Sequence, residues 1–156
     1  MTLDFTLVTY PGQLLAWADE WPGLVAGGPG LAAVEGELPG AIAGYTAWLE
    51  AANETAPNPG ARFRIAASID GSAAPGGDVC SAADRRPLAA GDLERFLRHA
   101  GVAADQLAHA VAGLGNELLD WVPEGLVPDH PDPWAPDVRT IRGIVTHALQ
   151  LEVFYR

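Results

Sequence analysis

Near the end of the chain, Ile141, Ile144, Val145, Ala148, Leu151 and Tyr155 recur at helical spacing and make one apolar stripe. His147 lies at the edge of that stripe, in register with Ile144 and Leu151. Asp137 is the expected N-cap, its carboxylate accepting from the free N–H groups of the first turn. A helix with one apolar face must find its cover elsewhere, in this chain, in a second copy or in a segment beyond Arg156.

The preceding segment carries a longer pattern. Leu93, Leu97, Ala100, Ala104, Leu107, Val111, Leu114 and Leu118 advance in alternating steps of four and three. That spacing predicts one helix from Asp92 to Asp120, about 40 Å long, with an apolar seam. Gly101, Gly113 and Gly115 each weaken it by roughly 1 kcal/mol relative to alanine, so fraying or a bend is expected there. Five prolines between Val122 and Pro136 exclude regular structure in the connection to the last helix. Two amphipathic helices joined in this way form a hairpin with one side uncovered. The economical solution is a homodimer in which two hairpins build one four-helix bundle. Its expected interface residues are Leu97, Leu107, Val111, Leu114, Ile141, Ile144 and Leu151.

The first seventy residues read differently. Leu3, Phe5 and Leu7 alternate with Asp4 and Thr6, which predicts a strand with one buried face. Pro11-Gly12 supplies a turn, Gln13–Ala18 a hairpin partner, and Leu24-Val25-Ala26 a short third strand. A helix is expected over Leu31–Asn53, with Val34, Leu38, Ile42, Tyr45 and Leu49 inward. Pro39 inside it predicts a kink or a late start. Phe63, Ile65, Ala67 and Ile69 alternate as a fourth strand. The fold class is therefore α+β, a small antiparallel sheet with one helix followed by a long two-helix hairpin. Residues 71–90, rich in Gly, Pro, Ala and Ser, read as a linker between the 1–70 and 91–156 regions.

Composition narrows the function classes. Nonpolar residues make up 49% of 156, enough for a core. The net charge is −11, and all nine basic residues are arginine. Such a chain repels phosphate backbones, so no nucleic-acid partner is expected. No apolar run reaches the length of a membrane span, and Met1–Tyr10 lacks the basic start of a signal peptide, so no membrane partner is expected. The expected location is cytoplasmic. Cys80 is the single cysteine, which excludes an internal disulfide. No phosphate loop, Ser-His-Asp set or paired catalytic carboxylates stand out.

Two family resemblances add to this. Glu20-Trp21-Pro22-Gly23-Leu24-Val25-Ala26-Gly27 and Ile42-Ala43-Gly44-Tyr45-Thr46-Ala47-Trp48-Leu49 resemble the HicB-like domain, a β-β-β-α-β module of certain antitoxins. That resemblance implies a small protein partner for residues 3–69. Asp120-Trp121-Val122-Pro123 and Thr140-Ile141-Arg142-Gly143-Ile144-Val145-Thr146-His147 resemble the start of the DinB-like (YfiT-like) superfamily of four-helix bundles. In its metal-binding members three histidines hold a divalent ion, and only His147 carries over. One histidine cannot make a stable site, which normally needs three or four ligands. Among the other histidines, His99 flanks the long seam, His109 faces away from it and His130 lies in the proline-rich loop. The expectation is thus a non-catalytic protein-binding or regulatory module without a cofactor. The alternative is a metal-dependent thiol transferase or hydrolase with His147 as one ligand to zinc or nickel.

Overall fold

The computed structural model describes residues 1–71, 85–122 and 140–154, the last five for their backbone alone. Its elements are β1 (Thr2–Tyr10), β2 (Gln13–Ala18), β3 (Val25–Gly28), α1 (Leu31–Ala51), β4 (Arg62–Asp70), α2 (Ala90–Val111), α3 (Asn116–Leu119) and α4 (Ile141–Phe154). Two compact units divide between His99 and Ala100, inside α2. The architecture is mixed α and β, as α+β requires.

In the first unit the strands are ordered β3-β2-β1-β4. Pro11 and Gly12 close the β1–β2 hairpin, and Gly12 takes φ +76°, which a side chain would strain. β1–β2 and β2–β3 pair antiparallel, but β1–β4 is parallel. The sheet is therefore mixed rather than antiparallel. The chain crosses over through α1 before β4 returns beside β1, which a hairpin connection could not achieve.

In exposure β4 alternates as expected, with Phe63, Ile65, Ala67 and Ile69 half-buried between exposed neighbours, but its register does not run through unbroken. Its pairing with β1 skips a residue, so Phe5 partners Ile65 while Thr6 partners Ala67 and Val8 partners Ile69. A bulge of this kind moves the later residues to the other face. Accordingly Phe63 and Ile65 join the core and Ala67 and Ile69 do not. The core lies between the sheet and α1. Leu3, Phe5, Leu7, Ala16, Ala18 and Ala26 meet Val34, Leu38, Ile42, Tyr45 and Leu49 there. Pro39 sits within α1 without delaying its start.

The helical region differs more from expectation. The long helix is broken: α2 ends at Val111, Gly113 takes φ +82°, and α3 is a separate turn. Two glycines within three residues remove the side chains that would have held the helix together. The last helix starts at Ile141, where Thr140 Oγ1 accepts from the Gly143 N–H at 2.9 Å. Thr140 is therefore its N-cap. The expected cap, Asp137, lies outside the described residues, as do the proline-rich loop, Cys80 and His130. Within the second unit Arg142 links α4 to the α3 turn. Its Nε donates to Asp120 Oδ1 at 2.6 Å, and its guanidinium also reaches Asp120 Oδ2 and Asn116 Oδ1.

Candidate functional site

The end of α1 sets one side of an unusual cluster in the first unit. Asn53 takes φ 57°, the left-handed conformation that closes a helix. Its N–H donates to Glu50 O, and the Glu54 N–H donates to Leu49 O at 2.9 Å. This pair of bonds is the Schellman pattern, and it fixes Glu54 just beyond the last turn. Thr46 then ties the departing chain down, its buried hydroxyl donating to Pro57 O at 3.0 Å.

One turn earlier, Tyr45 lies at the edge of the core and Trp48 packs half-buried against it. Tyr45 donates to Pro22 O at 2.8 Å and meets Trp21 edge-on, with ring centroids 6.4 Å apart. Trp48 lies 5.3 Å from Tyr45. Burial raises the Tyr45 phenol above its ordinary range, with nearby Arg95 opposing the shift. A phenol held this way serves as a hydrogen-bond donor.

The first turns of α2 bring the other side. The Arg95 guanidinium lies 4.9 Å from the Trp21 ring and 5.0 Å from that of Phe96, within cation–π range. It also donates to Asp92 Oδ1 and Glu20 O. Arg98 Nε donates to both Glu54 oxygens, at 3.0 and 3.3 Å. His99 is 4% exposed and stands edge-on to Trp48 at 6.4 Å. Its Nε2 is 3.9 Å from Glu54 Oε2, too far for a hydrogen bond. Both of its ring nitrogens are buried without a partner. Burial lowers the His99 pKa; Glu54 opposes this, while Arg95 and Arg98 add to it. A ring so enclosed has no room for a substrate, and its available chemistry is the gain or loss of one proton.

The α2 surface is thus divided in an unexpected way. Asp92, Arg95, Phe96 and His99 form its covered side, whereas Leu93, Leu97, Ala100 and Ala104 are exposed. Leu93 is 48% exposed and Leu97 64%. The two stripes lie roughly 120° apart around the helix. Farther along the seam, Leu107, Val111 and Leu114 are half-buried, as is Ile141, while Ile144 is exposed. The Leu151 side chain lies outside the described residues.

His147 is exposed on α4, and His109 is exposed on α2 as expected. Among the described residues no three His, Cys, Asp or Glu side chains converge to hold a metal ion. No described helix is long and apolar enough to cross a membrane. At the β1–β2 turn, Thr9, Tyr10, Pro11, Ser68, Ile69 and Asp70 line an open groove of about 450 Å³. It gathers hydroxyls and one carboxylate without a nucleophile–base pair.

Glu54, Arg95 and His99 did not stand out as a site in the sequence. The available signal was the second stripe itself, Asp92, Arg95, Phe96 and His99 at steps of three and one. The leucine seam beside it carried the stronger hydrophobic pattern. Compared with known proteins, the chain matches no protein-family model, no curated protein and no solved structure.

Proposed function

We propose that this protein is a non-catalytic protein-binding or regulatory module that dimerises through its helical half. One observation carries the reading: α2 covers its arginine and histidine side and leaves its leucine side in solvent. Burying a leucine contributes roughly 1.5–3 kcal/mol, whereas desolvating an arginine and a histidine costs free energy. A helix arranged this way gains from a second cover on the leucine side. The α4 surface supports the same reading, with Ile144 48% and Leu149 57% exposed. A second copy is the occupant, because a two-fold interface lets one apolar ridge cover its own equivalent. In the completed dimer, α2 and α4 of two copies pair as a four-helix bundle. The HicB-like sequence of the first unit supports a small protein partner for the sheet module.

Light scattering over a range of concentrations tests the dimer. Twice the 16.3 kDa chain mass is expected at micromolar concentration and above. Leu97→Asp should give a monomer with an unchanged far-ultraviolet circular dichroism spectrum. A wild-type monomer at all concentrations would sink the proposal.

A further inference from the structure

We infer that the Trp48–His99–Glu54 contact is a proton-operated latch, in which protonation of His99 releases the first turns of α2 from the sheet-and-helix layer. The inference goes beyond the dimer reading and does not rest on it. His99 fills a closed position against Trp48 with both ring nitrogens unpartnered, so nothing in place accepts from a second N–H. A neutral ring already leaves one donor unsatisfied there; an imidazolium would leave two, with a full charge.

Burial sets the sign, and the charged groups around the ring modify it. From the α1 end comes Glu54, whose two oxygens share one N–H of Arg98, while Asp92 on α2 is paired with Arg95. From α2 itself come Arg95 and Arg98. From α1 come Trp48, which is uncharged, and Tyr45 beyond it, whose phenol stays neutral. Protonation would place a second cation beside Glu54, which Arg98 already neutralises, with the ring nitrogen 3.9 Å from its oxygen. Glu54 softens the penalty without cancelling it, and burial is the larger effect.

The pH window follows from linkage. Released into water, His99 titrates near about 6.5, and in the docked state it titrates lower. Docking is therefore complete above about pH 6.5 and weakens as pH falls, by up to about tenfold per pH unit between the two values.

Two measurements on the full chain test the latch. The first is an NMR titration of the His99 ring; the second is amide hydrogen exchange over residues 92–99 at pH 7.5 and 5.0, corrected for intrinsic rates. Wild type should show a His99 midpoint below 6.5 and lose protection at the lower pH. His99→Phe, which keeps a ring against Trp48, should retain its protection. A His99 midpoint at or above 6.5 would overturn the latch, and so would equal loss of protection in both proteins. Where His99→Phe fails to fold, the wild-type midpoint and the wild-type loss of protection decide together, and retained protection at pH 5.0 overturns the latch. Light scattering on the same samples separates release of α2 from dissociation of the dimer.

Discussion

Gly28 leaves no room for a methyl group. A Cβ there would lie 2.8 Å from Ala33 Cβ and 3.3 Å from Val34 N, both fixed by the first turn of α1. Gly27 differs in kind, since its nearest neighbour is the flexible end of Leu15 at 2.8 Å. Gly28→Ala should therefore cost about 1–3 kcal/mol, as overpacking does where backbone must move. Gly27→Ala should cost less, because a leucine rotamer can yield. Urea denaturation of the two variants checks the ranking, and equal midpoints would refute it. Neither constraint was legible in the sequence, where the third strand was read over Leu24-Val25-Ala26 and stopped before both glycines. His99 was illegible for a related reason. Its flanking position beside the seam was clear, but burial depended on Trp48 and Glu54, about fifty residues away in the chain.

At the scale of elements, what was legible followed local periodicity. β2 and the inward face of α1 emerged as read, because alternation and three-four spacing report directly on which face is covered. What failed depended on neighbours or on backbone torsion. The β4 bulge reversed Ala67 and Ile69, and the Gly113 turn cut the long helix short. The close of α1 offers a test of torsion. Asn53 holds φ 57°, which glycine adopts freely and alanine does not. Asn53→Ala should destabilise by about 1 kcal/mol, and Asn53→Gly should be neutral or slightly stabilising. Thermal unfolding checks this; equal losses for both would mean that the asparagine side chain matters, not its torsion. Thr140→Ala should likewise cost about 1 kcal/mol through loss of the α4 cap, read as reduced helicity in circular dichroism. That threonine was present in the sequence, but Asp137 offered a stronger capping side chain three residues earlier.

For the whole molecule, charge and apolar surface pull association in opposite directions. Each copy carries a net charge of −11, so two copies repel at long range. The proposed contact is apolar, with Leu97 at its centre, and needs no ion pair across it. Salt should therefore strengthen the dimer. Raising ionic strength from 0.1 M to 1 M shortens the screening length from about 10 Å to about 3 Å, which removes the repulsion. The apolar contribution is left in place. The expected result is a lower dissociation constant at high salt, measured by sedimentation equilibrium. The unfolding temperature should rise with protein concentration in wild type, since tenfold more protein adds about 1.4 kcal/mol per mole of dimer. Leu97→Asp should remove that concentration dependence while the monomer still unfolds cooperatively. A dimer that weakens as salt is added would point instead to an interface held by arginine–carboxylate pairs. In that case the leucine ridge of α2 would not be the surface that joins the two copies.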